Sequence, residues 1–355
     1  MDIEIIIGCD LHPQQVAEFA VEAEKAGVRT LWHSNLPNGW DPFIGLSQAA
    51  LATRRIRLGV LALSPYEMHP VRIAYSIISL NELAGGRAVI GLGGGGAMAL
   101  ATTDRAQDAS LDFKGMRIVR GVREAAEIIY RMSTGDFHRG YAGEVFSVRQ
   151  PFRLGYVKAP RPRIITCSMG PQMLRMGARI ADGLQVGDVT ADRLPEVMQD
   201  IQAGLAKRKY PADDFRIGNF WAWHIKADPA ASMAEARREL MLRGWLGEQY
   251  FAPFLQPDEV RLMRAHERDF LNAFLRGTHV IDNVPDALVT KMIRNISFAG
   301  GLDQIEPAIE TLRAFAAAGL TEIALRVHDD PADAIRLIGE RVLPALRQEG
   351  TQGRG

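Results

Sequence analysis

Short apolar runs alternate with amphipathic stretches along most of the chain. Residues 4–8 are mostly isoleucine, as suits a strand covered on both faces. Pro13 opens a helix with Val16, Phe19, Ala20, Ala23 and Ala26 on one side, and Gly27 stops it. Further strands are expected at residues 28–32, 57–63, 88–92, 163–166, 183–186, 215–225 and 322–327. Helical patterns cover 42–52, 70–83, 113–132, 171–180, 194–207, a stretch from 231, 305–318 and 331–346. Strands alternating with helices of about three turns call for parallel βαβ units. Eight such strands predict a single (β/α)8 TIM barrel over residues 1–350, with a polar tail at 351–355.

Three segments break the rhythm. Residues 97–112 are polar and too long for an ordinary βα loop. Within 133–160 the run YAGEVFSVRQPF alternates as a small hairpin outside the main pattern would. Residues 245–282 mix aromatics, charges and prolines without one clear face, and read as a lid or a dimer surface.

Composition narrows the function classes. The 355 residues suit one barrel, and 47% apolar with 24% charged residues describes an ordinary globular protein. Lys+Arg and Asp+Glu balance at 42 each, so no basic field draws nucleic acid. Cys9 and Cys167 form neither a disulfide framework nor a metal-type spacing, and no metal is expected. No apolar run approaches the roughly 18 residues of a membrane span. The opening MDIEIIIG is strand-like rather than a secretion signal, so a cytoplasmic protein is the expectation.

The candidate chemistry gathers at residues 57–96. Both strands there end irregularly, the first at Ser64-Pro65 and the second in four glycines, Gly93 to Gly96. In a parallel α/β protein both exits lie at the end where ligands sit. Gly91-Leu-Gly93-Gly-Gly-Gly96 satisfies the G-x-G-x-x-G pattern of a dinucleotide turn. No helix follows at once, however, and three βα units precede it. The glycines read better as bare backbone that a flat ring or a phosphate can approach, with a simple tight turn as the plain alternative. At another strand exit, Ser168, Met169, Gly170, Pro171 and Gln172 open a helix whose free N–H groups suit an anion. Ser168 as a helix cap is the alternative there, and both can hold.

The segments LWHSNLPNGWDPF, IRLGVLALSPYEMHP, LNELAGGRAVIGLGGGG, MGPQMLRMGARIADG and AAAGLTEIALRV…IGERVLPALR together resemble the luciferase-like oxidoreductase family. Its members are barrel enzymes that use reduced FMN or the deazaflavin F420, and the likeness is greatest to the methylenetetrahydromethanopterin reductase group. The resemblance implies a bulge with a non-prolyl cis peptide at Leu61–Ala62 behind the flavin ring. It places Ser64 near the isoalloxazine, Gly93 to Gly96 beside the cofactor, and Ser168 to Gln172 at its tail phosphate. F420-dependent relatives carry Asp-His after the second strand, where this chain has Asn35-Leu36. Some carry a glutamate where Gly96 stands. Both departures argue against sugar-phosphate and alcohol substrates.

Glu67 after the bulge, His12 after the first strand and His224 within WAWHIK are the remaining candidates for catalysis. Their plain alternatives are a capping carboxylate, a surface histidine and a hydrogen-bonded core histidine. Trp40, Trp221 and Trp223 read as barrel packing, with the lining of an apolar substrate pocket as the alternative for each. The leading expectation is hydride transfer between F420 or reduced FMN and a small organic substrate. A two-component FMN monooxygenase served by a separate flavin reductase is the second, and a non-catalytic flavin-binding protein the third. Relatives of this kind are commonly homodimers or higher homo-oligomers.

Overall fold

Alternating apolar strands with one interior face and one helix-facing face have to close on themselves or leave an edge exposed. In the computed structural model, described over residues 1–36, 39–95, 116–150, 153–208 and 214–352, they close. The chain runs β1 (Asp2–Ile7), α1 (Pro13–Ala26), β2 (Thr30–Ser34), α2 (Pro42–Gly45), α3 (Ser47–Ala52), β3 (Arg57–Leu63), α4 (Pro70–Leu83), β4 (Ala88–Leu92) and α5 (Ile118–Ser133). A hairpin of β5 (Tyr141–Ala142) and β6 (Ser147–Val148) leads to β7 (Arg163–Cys167), α6 (Pro171–Ile180), β8 (Gly183–Gly187), α7 (Leu194–Leu205), β9 (Arg216–Trp223) and α8 (Pro229–Arg238). Next come α9 (Glu248–Phe251), α10 (Pro257–Ala265), α11 (Glu267–Arg276), α12 (Asp286–Ile296) and β10 (Ser297–Phe298). The chain ends with α13 (Ile305–Ala317), β11 (Glu322–Arg326), α14 (Pro331–Leu337) and α15 (Leu343–Gln352).

The ring order is β1-β2-β3-β4-β7-β8-β9-β11, with β11 returning to β1. These are the eight strands expected, in a closed (β/α)8 barrel. The hairpin at β5–β6 lies outside it, as its alternation predicts. Among the described residues no helix is long and apolar enough to cross a membrane.

The two faces of each strand build two cores. On β1, Ile3, Ile5 and Ile7 face the surrounding helices, and Ile6 joins Trp32, Leu61, Val89, Ile165 and Ala324 inside the barrel. Glu4 is buried there too, and its Oε2 accepts from Trp32 Nε1 at 2.8 Å and Gln185 Nε2 at 3.0 Å. Two neighbouring strands make room for these large side chains by carrying none. A Cβ on Gly59 would stand 2.0 Å from the Trp32 ring, and one on Gly218 2.1 Å from Gln185 Oε1.

Several boundaries differ from expectation. The helix expected at 42–52 breaks at Leu46 into α2 and α3. The one expected at 113–132 begins at Ile118 among the described residues, and the polar segment 97–112 lies outside them. The last helix passes through a π turn at Ile338–Val342 and continues to Gln352, into the stretch expected to be tail. The sequence reading also left α12 and β10 unassigned. Strand β10 is two residues long, too short for any periodicity, and among the described residues pairs only with β9. Helix α12 buries Leu288, Val289, Met292, Ile293 and Ile296, a spacing that is legible in hindsight.

Candidate active site at the carboxyl ends of the strands

Strand β3 does not leave the barrel regularly. Its register against β4 shifts between Val60 and Leu63, and the Leu61–Ala62 peptide is cis, where the resemblance places it. The β2 exit braces this bulge. The Asn35 backbone N–H donates to the Leu61 carbonyl at 3.0 Å, and its side-chain Nδ2 to the Ala62 carbonyl at 3.1 Å. The same Nδ2 donates to Glu67 Oε1 at 2.7 Å, and the Ser64 N–H reaches that oxygen at 2.9 Å. Asn35 thus ties the bulge to a carboxylate. Burial pushes the Glu67 carboxyl up from its ordinary value, only partly offset by these two donors.

The glycine exit of β4 lies beside the bulge. Gly93 N–H donates to the Leu63 carbonyl at 2.8 Å, and Ser64 Oγ reaches the Gly94 carbonyl at 3.4 Å. A Cβ on Gly93 would meet only Ala62 and Cys167 side chains, at 3.5 and 3.7 Å, so a side chain there would fill the slot without striking the fold. Gly94 differs. Its missing Cβ faces Ile118 Cγ2 at 2.2 Å, so its bareness lets α5 approach rather than a ligand. Gly95 holds φ at 155°, and Gly96 lies outside the described residues.

These exits frame a cleft of about 290 Å³. Asn35, Leu61, Ala62, Ser64, Glu67, Gly93 to Gly95, Ser168 and Met169 all line it. So do Asp188, Arg243, Tyr250 and Arg326, which the sequence reading missed. Asp188 follows β8 directly and Arg326 closes β11. A charged residue at a strand's carboxyl end was the signal available for both. Tyr250 comes from the start of the 245–282 segment expected as lid or dimer surface and Arg243 from two residues before it, so that start lies over the cleft.

The Ser168–Gln172 turn divides between two cavities. Ser168 does not cap α6: its hydroxyl donates to Thr166 Oγ1 at 3.0 Å, and the helix begins at Gly170 with no side-chain cap. Its first N–H groups are therefore left for another acceptor. Pro171 is exposed and lines neither cavity, while Gln172 opens onto a larger groove of about 800 Å³ beside α5, α6 and α7. Arg117, Arg120, Arg123, Arg175, Arg179 and Lys207 line that groove. Glu144 pairs with Arg117 and Arg120, and Asp200 with Arg175. Although larger, the groove is lined, among the described residues, by no carboxyl group and no strand exit. The smaller cleft holds both.

Two candidate histidines are elsewhere. His12 is an exposed cap of α1, its Nδ1 accepting from the Gln14 N–H at 3.2 Å. His224 is buried, with Nδ1 2.7 Å from Glu235 Oε1 and its ring stacked on His328 at 5.0 Å. Burial holds it below the ordinary histidine range, and it is the hydrogen-bonded core histidine of the plain alternative. His33 also faces away, toward Gly45 of α2. Among the described residues no cluster of three or more His, Cys, Asp or Glu is placed to hold a metal ion.

The sequence matches the family described as luciferase-like monooxygenase over residues 7–322. It is 26% identical to 5,10-methylenetetrahydromethanopterin reductase of Archaeoglobus fulgidus, over 95% of this chain and 97% of that one. It is 28% identical to an F420-dependent glucose-6-phosphate dehydrogenase of Kineococcus radiotolerans, over 48% and 51%. Among solved structures, the coenzyme F420-dependent tetrahydromethanopterin reductase of Methanopyrus kandleri superposes with a TM-score of 0.74 at 22% identity, covering 97% and 98%. A long-chain alkane monooxygenase superposes with a TM-score of 0.67 at 14% identity, covering 99% and 92%.

Proposed function

Because the chain belongs to the luciferase-like monooxygenase family, we propose that it is an oxidoreductase that moves a hydride between F420, or reduced FMN, and a small organic substrate. One observation carries this reading: the braced bulge at Leu61–Ala62, the open side of Gly93 and the Glu67 carboxyl all face one cleft. When bound, the ring of F420 or FMN supplies the hydride-carrying atom.

The chain's own residues would do the rest. The bulge and Gly93 give the ring a flat wall without side chains. The uncapped start of α6 and the cationic groove beside it suit the anionic tail that such cofactors carry. Glu67 handles the proton at its carboxyl. Asn35 and the Ser64 N–H both hold Oε1, and Oε2 accepts no hydrogen bond among the described residues. Burial keeps the acid form populated above the ordinary carboxylate range. Exposed Leu275 and Val280 in the 245–282 segment support a homodimer, which light scattering would test.

Titration of the purified protein with F420 and with FMN, oxidised and reduced, tests the assignment. Ring absorbance and oxygen consumption are the readouts. F420 binding without oxygen uptake is the expected result. Reduced FMN binding with oxygen uptake would make it a monooxygenase, and FMN binding without turnover a non-catalytic flavoprotein. Binding of neither ring would overturn the proposal.

A further inference from the structure

The strand-end cleft holds positive charge that hydride transfer alone does not use. Arg243 and Arg326 both line it. Asp188 neutralises the first: its Oδ1 accepts from Arg243 Nη1 at 2.9 Å, and its Oδ2 from the Gly244 N–H at 2.8 Å. Arg326 has no carboxylate partner among the described residues. Its one hydrogen bond there runs from Nη1 to Ser34 Oγ at 2.9 Å, a neutral hydroxyl that itself donates to the Ile7 carbonyl at 2.7 Å. A guanidinium has five N–H donors in a fixed fork that matches an oxyanion. Arg243 adds a buried Nε with no partner.

Glu67 does not supply the missing countercharge. It belongs to the β3 exit, where Asn35 and Ser64 hold it, and it pairs with neither arginine. Burial and the adjacent Arg243 push Arg326 down to about 10, which still leaves it charged at neutral pH. A cation held out of water without a bonded counter-ion is costly; Asp188 is bonded to Arg243 and Glu239 to Arg238, so the carboxylates whose charges reach Arg326 are already engaged elsewhere.

We propose that the substrate carries an oxyanion, a carboxylate or a phosphate borne on a group other than a sugar, bound in the cleft by Arg326 and Arg243. The inference rests on the reading of this cleft as the reaction site, and it names the substrate class. The two arginines come from β11 and from the chain just before α9, whereas the bulge and Gly93 belong to β3 and β4. An anion held by the arginines leaves the bare wall to the ring.

Calorimetric titration of the whole protein with benzoate, inorganic phosphate and neutral benzamide tests this, before and after loading with F420 or FMN. Benzoate or phosphate should bind at least about tenfold more tightly than benzamide, in the loaded protein as in the free one. Arg326→Gln should remove that preference, a loss on the order of tenfold to a hundredfold. Equal affinity for benzoate, phosphate and benzamide would overturn the proposal, as would a preference that survives in Arg326→Gln. Loss of anion binding once a ring cofactor is loaded would assign the arginines to the cofactor and overturn it too. If Arg326→Gln does not fold, the comparison on the unmodified protein decides alone. Ring binding is read separately by absorbance, so a failure of the oxidoreductase reading is distinct from a failure of this one.

Discussion

Glu4 makes the barrel interior sensitive to pH, and replacing it with glutamine isolates the effect. The carboxyl lies fully inside the strand ring, where burial first and the Glu322 charge second raise it from an ordinary 4.5 to about 8. Glutamine keeps the shape and an acceptor for Trp32 Nε1 and Gln185 Nε2. The folded pKa is raised, so the stabilising contribution is complete below about 4.5. Between there and about 8 the unfolded chain loses the proton while the folded one keeps it, and stability falls. At about 1.4 kcal/mol per pH unit, the span from 4.5 to 7 costs on the order of 3 kcal/mol. Constant differences between carboxyl and amide cancel when each protein is referred to its own value at the lower pH. Urea unfolding followed by circular dichroism at several pH values supplies both curves. Stability of the unmodified protein relative to Glu4→Gln should drop steadily over this range. Curves that run parallel from pH 4.5 to 8 would refute the reasoning and mean that Glu4 is ionised in the folded state.

Three further outcomes are expected. Gly93→Val should leave the thermal melt close to the original, because a Cβ there makes only ordinary contact with Ala62 and Cys167 and the residue borders the cleft; it should weaken F420 or FMN binding at least about tenfold, the loss of a few contacts' worth of packing. Glu67→Gln should lower turnover on the order of a hundredfold or more and abolish the fall in rate as pH rises through the raised Glu67 pKa; a falling limb that persists in the pH–rate profile would remove Glu67 as the acid. Gly59→Ala should cost about 1–3 kcal/mol in urea unfolding, since the methyl meets a Trp32 ring that Glu4 holds in place; an unchanged midpoint would show that the ring can shift.

The barrel was legible because its eight ring strands are largely apolar and its helices apolar on one face, a pattern that repeats between the three irregular segments. Strand β10 carries no such pattern; pairing with β9 alone defines it. The cis peptide at Leu61–Ala62 is invisible in those two residues and came from resemblance. Gly93 and Gly94 are identical as letters, yet one borders open space and the other supports α5, because the difference lies in Ile118. Arg326 and Asp188 went unremarked in the sequence, because their meaning depends on Arg243 arriving from a distant segment. His224 read as a catalytic candidate or, more readily, as a hydrogen-bonded core histidine, and the structure pairs it with Glu235 on α8.

The two sides of the cleft are under different obligations. The bulge and glycine side is made of strand exits within a closed ring, where each strand has a ladder to satisfy on both flanks. Residues 242–250 on the other side are fastened through a few side chains, chiefly Arg243 to Asp188 and Arg193 to the Gln249 carbonyl. Substitutions in that segment disturb no ladder. The proposed anion clamp is therefore divided between the two: Arg326 is fixed by the β11 ladder, whereas Arg243 rides on a stretch whose rewriting leaves the barrel intact.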